Sequence, residues 1–197
     1  AIVASTWDKP FEQPLRVPAK ADVVIIGGGI VGVSTAWTLA KQGVDVVLCE
    51  KGHIAGEQSG RNWGWVRVQG RDTREVPMML ESMRIWESFE KELGEEVGFT
   101  RGGCLFTANS DKDMRSFEDW VNTAREFQID TKLIDARELK QLVPGSAVEW
   151  TGAMYTPGDG RAEPHKAAPA IARAAKRLGA RILTACAVRG IERSAGR

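Results

Sequence analysis

Hydrophobic and polar positions near the N-terminus predict a strand, a helix and a second strand. Residues 21–26 form a short β-branched run that ends at three consecutive glycines. Residues 30–42 fit a helix that stops at Gly43, and residues 45–50 form a second apolar run. Strand, glycine turn, helix and strand within about 30 residues have the size of one βαβ unit. The pattern therefore predicts a pair of parallel strands.

The rest of the chain predicts a mixture of helices and short strands. Prolines make residues 1–20 an extended arm, and residues 51–70 form a long, glycine-containing loop. A helix capped by Asp72 is expected to run to about Leu93. Pro164 suits the first position of a final helix, but Pro169 conflicts with a straight helix from there, so the start is expected nearer Pro169. The other expected elements are a strand at 99–107 interrupted by two glycines, helices at 111–127 and 135–143, a strand at 150–156, a turn at 157–160, and apolar runs at 181–183 and 187–191.

The glycine turn fits the dinucleotide-binding pattern G-x-G-x-x-G, with a strand before it and a helix after it. Gly27 permits a tight turn, Gly29 lets the backbone approach a pyrophosphate, and Gly32 lets the helix lie close to the sheet. The helix start, at Ile30 and Val31, offers N–H groups and partial positive charge to phosphates. The alternative is a glycine turn with no ligand.

Glu50 ends the second predicted strand, where a carboxylate can accept hydrogen bonds from ribose hydroxyls. An acid at this position disfavours the 2′-phosphate of NADP. The glycine-rich loop from Ser59 to Gly64 then favours FAD over NAD, because it suits a large cofactor lying extended across the domain.

These motifs resemble the D-amino-acid-oxidase-like flavoproteins, the glycine oxidase and sarcosine oxidase group. Further matches are the strand at 102–106, the turn at 158–164 and the returning segments 179–182 and 187–191. Segments 54–59 and 184–190 look especially like bacterial L-amino acid deaminases, although the loop continues differently after Gly64. The resemblance implies that FAD is bound by Gly27, Gly29, Ile30, Val31, Gly32, Glu50, Lys51, Ser59, Gly60, Arg61, Asn62, Gly64, Trp65 and the backbone near Val188.

The resemblance also implies an α/β fold, with an incomplete Rossmann-like FAD-binding domain and part of an inserted α+β substrate domain. The expected division is an arm (1–20), the FAD-binding βαβ unit with the flavin loop (21–72), a helical segment starting the substrate domain (73–160), and a return to the FAD-binding domain (161–197). Family members are longer, so a C-terminal half, absent or present as a separate chain, is expected to complete the flavin site.

The implied activity is FAD-dependent oxidation of the C–N bond of an amino acid, giving a 2-oxo acid and ammonia. Substrate identity, stereochemistry and the oxidant of the reduced flavin stay open, and no catalytic residue is assigned. Two alternatives remain: a non-catalytic flavin-binding or assembly subunit of a heteromeric amine dehydrogenase, and an NAD-dependent enzyme, which the loop after Glu50 disfavours.

Four further positions are candidates with competing interpretations. His53 lies near the loop and could carry covalent flavin, although most histidines are solvated or hydrogen-bonded. Arg67, Gln69 and Arg71 could reach a substrate carboxylate, but an ordinary exposed loop arginine is the alternative.

The amino-acid composition gives no support for several classes of binding partner. The 197 residues carry a formal net charge of +1 and no polybasic run, which gives no support for nucleic acid or acidic membrane surfaces. No apolar stretch reaches the length of a membrane span. The three cysteines have no metal-ligand spacing, so no metal is expected, and a reducing, cytoplasmic setting is predicted.

Overall fold

The computed structural model describes residues 17–193; residues 1–16, most of the predicted arm, lie outside them. The described elements, in chain order, are β1 (Val23–Ile26), α1 (Ile30–Lys41), β2 (Val46–Cys49), α2 (Gln58–Arg61), β3 (Trp65–Val66), α3 (Val76–Leu93), β4 (Thr100–Arg101), β5 (Cys104–Ala108), α4 (Asp111–Glu126), β6 (Lys132–Asp135), α5 (Ala136–Leu142), β7 (Gly152–Thr156), β8 (Gly160–Arg161), α6 (Pro164–Arg177) and β9 (Arg181–Leu183).

These elements fall into two compact units. Among the described residues, the first contains residues 17–64, the segment Phe89–Gly98 and residues 163–193. The second contains Trp65–Ser88 and Phe99–Ala162.

The first unit holds a parallel sheet in the order β1-β2-β9. Val23 pairs with Val46, and Val47 pairs with Arg181. All four residues of β2 are buried, as expected for the central strand of a parallel sheet. Helix α1 connects β1 to β2 and packs against α6. The predicted βαβ unit is therefore confirmed.

Helix α6 begins at Pro164, so the expectation of a start nearer Pro169 is wrong. Proline at the first helical position loses no intrahelical bond, because that N–H has no partner in any helix. Pro169 lies inside the helix and removes one bond. Its buried neighbours, including Ala168 and Ile171, offset that loss by packing in the first unit.

The second unit contains two antiparallel sheets, β3-β8-β4 and β5-β7-β6. The single strand expected at 99–107 is divided between them, with β4 in one sheet and β5 in the other. Gly103 has φ +77°, a conformation that L-residues rarely adopt, and so allows the chain to leave one sheet and enter the next. Strand β6 was not predicted.

Two predicted helix starts have different outcomes. Asp135 caps α5 by accepting the N–H of Glu138 at 2.8 Å, as its Asp-x-x-Glu pattern indicates. Asp72 does not cap α3, which begins at Val76. Its carboxylate instead accepts hydrogen bonds from the backbone N–H and the guanidinium of Arg74, and so closes a turn before the helix.

The apolar run expected at residues 187–191 forms no strand.

Candidate functional site

The glycine loop joins β1 to α1 in a conformation that only glycine tolerates at two positions. Gly27 has φ +108°, and its N–H donates to the carbonyl of Cys49 at 2.9 Å. A Cβ added at Gly32 would overlap the carbonyl oxygen of Gly27. The tight turn and the close approach of α1 predicted for these glycines are therefore both present.

Glu50 fastens this loop to the end of β2. One carboxylate oxygen accepts the N–H of Gly28 at 2.6 Å, and the other accepts the N–H of Gly52 at 2.7 Å. The residue is only 8% exposed. A carboxylate has about four acceptor sites, so two remain for further donors such as ribose hydroxyls. Glu50 thus both holds the loop and retains capacity for a ligand.

Ser59 reaches the start of α1 from the following loop. Its Oγ accepts the N–H of Ile30 at 2.9 Å, while the cap residue Gly29 makes no side-chain bond. A Cβ at Gly29 would lie 3.0 Å from this Oγ, so a larger residue would press on Ser59. Helix geometry leaves the N–H groups of Val31 and Gly32 without an intrahelical acceptor. With no acid in its first turn, this helix end suits an external anion.

The loop after Ser59 is ordered by Asn62. Its side-chain amide donates to the carbonyls of Gln58 and Ser59 at 3.2 and 3.0 Å, and its Oδ1 accepts the N–H of Gly64 at 2.7 Å. Gly64 has φ +74°, and Gly60 donates its N–H within the turn of α2. The predicted loop therefore contains a short helix and a defined turn.

Two predicted cationic residues converge on one acid. Lys51 and Arg61 form exposed ion pairs with Glu57 at 3.2 and 3.6 Å. The hydrogen bond and charge of Lys51, followed by the charge of Arg61, lower the pKa of Glu57. Lys51 and Arg61 therefore lie beside the loop, but their charges are directed toward Glu57.

Val188 follows a segment that is tied to Glu50. The N–H of Cys186 donates to the carbonyl of Glu50, and the N–H of Ala185 donates to that of Gly52, both at 2.8 Å. The structure thus brings the glycine loop, Glu50, Ser59 and the segment leading to Val188 together in the first unit. Trp65, the remaining predicted residue, belongs to the second unit.

In the second unit, Arg67 lies against two aromatic rings. Its guanidinium carbon is 5.4 Å from the centroid of Trp65 and 5.2 Å from that of Phe106, and one of its N–H groups donates to the carbonyl of Gln69. Burial, and then the charge of Arg71, lower the pKa of Arg67.

Two residues that hold these segments were not predicted. Ile54 is buried, and its side chain lies where a Cβ of Gly28 would be. Asp159 is fully buried and accepts the N–H groups of Val68 and Gln69 at 2.7 and 3.1 Å. Burial raises the pKa of Asp159 against the lowering effect of these bonds. Its position between two glycines in the sequence was the available signal.

Residues 17–193 contain no helix long and apolar enough to cross a membrane. Within the same range, no three His, Cys, Asp or Glu side chains are grouped so that they could hold a metal ion.

Comparison with known proteins matches residues 22–197 to the family described as FAD dependent oxidoreductase, also called DAO. The L-amino acid deaminase from Proteus myxofaciens, solved in complex with anthranilate, superimposes with a TM-score of 0.89 at 32% identity, over 98% of this chain and 44% of that one. L-proline dehydrogenase from P. horikoshii gives 0.82 at 35% identity, over 88% and 46%. Sarcosine oxidase subunit beta of Rhodobacter capsulatus is 28% identical over 98% of this chain and 48% of its own length.

The chain therefore belongs to the DAO family of FAD-dependent oxidoreductases, as the resemblance in the sequence indicated. It spans less than half the length of each of these three relatives.

Proposed function

We propose that this protein oxidises the C–N bond of an amino acid, releasing a 2-oxo acid and ammonia after water hydrolyses the oxidised product. The observation that carries the proposal is the hydrogen-bonded arrangement of Glu50, the glycine loop and Ser59. It leaves acceptor sites on Glu50 and N–H donors at the start of α1 that suit a dinucleotide. Bound FAD supplies the hydride acceptor for this chemistry.

The described residues fit FAD. The N–H groups of Val31 and Gly32, at a helix end with no acid in its first turn, would hold the pyrophosphate. The remaining acceptor sites of Glu50 would bind the ribose hydroxyls of the adenosine. The backbone around Val188, in the segment tied to Glu50, would hold the adenine.

The flavin loop completes the proposed cofactor site. Gly29 would allow close approach of the pyrophosphate, and the ordered turn from Ser59 to Gly64 would offer backbone and side-chain groups to the cofactor. In this proposal, residues 21–72 and 161–197 supply FAD binding, while 73–160 begin the substrate domain.

A further length of chain is part of the proposal. On β1, Val24 and Ile26 are 57% and 59% exposed, and the described sheet pairs β1 on one side only. Further polypeptide normally covers a strand that has both exposed apolar side chains and an unpaired backbone edge. We therefore expect a C-terminal half, on the same or a separate chain, and weak FAD binding by the 197 residues alone. Stoichiometric flavin on the purified 197-residue chain would refute that expectation.

The amino acid substrate is proposed from two of the similar structures, an L-amino acid deaminase and an L-proline dehydrogenase. A second candidate is a non-catalytic flavin-binding or assembly subunit. The similarity to a protein named sarcosine oxidase subunit beta supports this second candidate. A reducing, cytoplasmic setting is proposed because all three cysteines are free thiols.

Anaerobic flavin reduction distinguishes these functions. FAD-loaded protein is mixed with L-amino acids, D-amino acids, N-methyl amino acids and simple amines, and loss of the yellow flavin absorbance is recorded. We expect at least one amino acid to bleach the flavin and to yield one equivalent of 2-oxo acid and ammonia. Flavin that stays oxidised with every compound would contradict the proposal and favour the subunit.

A further inference from the structure

Two cysteines, Cys49 and Cys186, lie together on one face of the parallel sheet in the first unit. Cys49 is the last residue of β2 and pairs in register with Leu183 of β9. Cys186 comes shortly after β9 and packs against the buried cluster that contains both Cys49 and Leu183. The fold therefore places side by side two thiols that are far apart in the sequence.

The backbone fixes Cys186 in this position. Ala185 has φ +50°, a left-handed conformation that alanine rarely adopts, and it turns the chain after β9 back over the end of β2. Its N–H donates to the carbonyl of Gly52, and the N–H of Cys186 donates to the carbonyl of Glu50, both at 2.8 Å. These two bonds hold the thiol of Cys186 beside that of Cys49.

The two thiols differ in exposure. Cys49 is buried, whereas Cys186 is half-buried, and both are free. Burial, and then the hydrogen bond and the charge of Cys186, raise the pKa of Cys49, because its S–H donates that bond. Cys49 therefore stays protonated, and Cys186 is the thiol that a small oxidant reaches first. An accessible thiol with a second thiol beside it is the usual arrangement of a redox-sensitive pair.

We propose that Cys49 and Cys186 form a reversible disulfide when the protein meets a peroxide, and that this disulfide weakens FAD binding. The thiolate of Cys186 attacks the O–O bond of hydrogen peroxide and becomes a sulfenic acid, while hydroxide leaves and is protonated to water. The sulfur of Cys49 then attacks the sulfur of Cys186. The S–S bond forms, the S–O bond breaks, and the oxygen leaves as water with the proton of Cys49. Two thiols and one hydrogen peroxide thus give one disulfide and two waters.

Forming this bond moves the segment that leads to Val188. The two sulfurs must be drawn together from contact to covalent distance. Cys49 belongs to a central strand whose four residues are all buried, so close packing resists its displacement. Cys186 lies in no strand of the described chain and has exposed residues on both sides. The shift therefore falls on Cys186 and on the residues that follow it.

The FAD site is expected to respond to that shift. In the proposed function Glu50 binds the ribose and the backbone around Val188 holds the adenine, so this effect rests on that proposed site. The bond from the N–H of Cys186 to the carbonyl of Glu50 keeps the two contacts in their relative positions. Because the disulfide displaces Cys186, both contacts cannot be made at once. We expect the Kd for FAD to rise about tenfold or more.

Peptide mapping under non-reducing conditions tests the bond, and equilibrium dialysis against FAD tests its effect. After hydrogen peroxide treatment, mass spectrometry should find one cross-linked peptide pair that contains Cys49 and Cys186, and dithiothreitol should remove it. The oxidised protein should bind FAD about tenfold more weakly, with full recovery after dithiothreitol. Cys104→Ala removes the third cysteine, which lies in the second unit, and is the matched control that should respond as wild type does.

Cys186→Ser protects the test against misfolding, since it replaces a half-buried thiol by a side chain of similar size. It should keep the melting temperature of the reduced wild type and bind FAD equally with and without peroxide. Absence of the Cys49–Cys186 peptide pair from peroxide-treated wild type would overturn the inference. So would a disulfide that leaves FAD affinity unchanged, or an equal loss of FAD affinity in Cys186→Ser.

Flavin reduction separates this inference from the function on which it rests. If an amino acid bleaches the flavin but peroxide forms no disulfide between Cys49 and Cys186, C–N oxidation stands and the inference falls. If no compound reduces the flavin but the disulfide still forms and weakens FAD binding, the inference stands and the proposed reaction falls.

Discussion

Replacing Glu50 by glutamine tests whether one carboxylate holds the glycine loop in place. In the wild-type protein both carboxylate oxygens accept backbone N–H groups, from Gly28 at 2.6 Å and from Gly52 at 2.7 Å. Glutamine has the same shape but only one acceptor oxygen. Glu50→Gln therefore keeps one bond in weaker, uncharged form and points an NH₂ group at the other N–H.

The expected loss is a few kilocalories per mole. A hydrogen bond to a charged group contributes about 1.5–3 kcal/mol, and a buried N–H left unpaired costs about 1–3 kcal/mol. Because a buried carboxylate is itself costly to desolvate, its removal offsets part of the loss. We expect the free energy of unfolding to fall by about 3 kcal/mol, which is about 6–12 °C in melting temperature for a chain of this size.

The assay is thermal and urea unfolding of the protein without FAD, so that loss of cofactor binding does not contribute. Glu92→Gln is the control, because it removes an exposed ion pair with Lys41 in the same unit and should cost about 0–1 kcal/mol. The reasoning is refuted if Glu50→Gln is as stable as Glu92→Gln.

Three other substitutions or reactions test separate features. Gly32→Ala should abolish FAD binding, since its Cβ would overlap the carbonyl of Gly27, whereas Gly102→Ala, with open space around it, should bind FAD normally; flavin titration compares them. Cys104 should react slowly with a disulfide reagent at pH 8, because burial, and then a nearby acid, raise its pKa to about 11 and leave about one thiolate in a thousand; fast labelling identified by mass spectrometry would contradict this. Burial alone would raise the pKa of Glu95, but hydrogen bonds and charges from Arg173 and Arg177 outweigh burial, so the pKa is lowered. The wild-type protein should therefore be more stable than Glu95→Gln above the unfolded-state pKa of the carboxyl group, and this difference should shrink as pH falls through the folded-state pKa. A difference in urea midpoint that does not change with pH would disprove this prediction.

The βαβ unit was predictable because its signals are local. A β-branched run, a glycine turn and a helix that ends before Gly43 each act within a few residues, and the structure follows them closely. Strand β6 was missed because its stability comes from pairing with β7, a contact across about twenty residues that no local pattern reveals. Helix α3 is divided between the two units after Ser88, and its amphipathic pattern does not indicate that division.

The candidate site was predictable in its residue types but not in its contacts. Glu50 was expected to face ribose hydroxyls, and the structure adds its bonds to the loop backbone. The bond from Ile30 to Ser59 joins residues far apart in sequence, so spacing alone could not predict it. Asp159 in its glycine turn looks like an ordinary turn residue, because only the fold shows that it is buried.

The most direct test of the account is a crystal structure of the FAD-loaded protein together with its expected C-terminal half. The account predicts that pyrophosphate oxygens lie within hydrogen-bond distance of the N–H groups of Val31 or Gly32, and that adenosine ribose hydroxyls donate to Glu50. FAD held elsewhere, with the end of α1 and the carboxylate of Glu50 making no contact with it, would contradict the account.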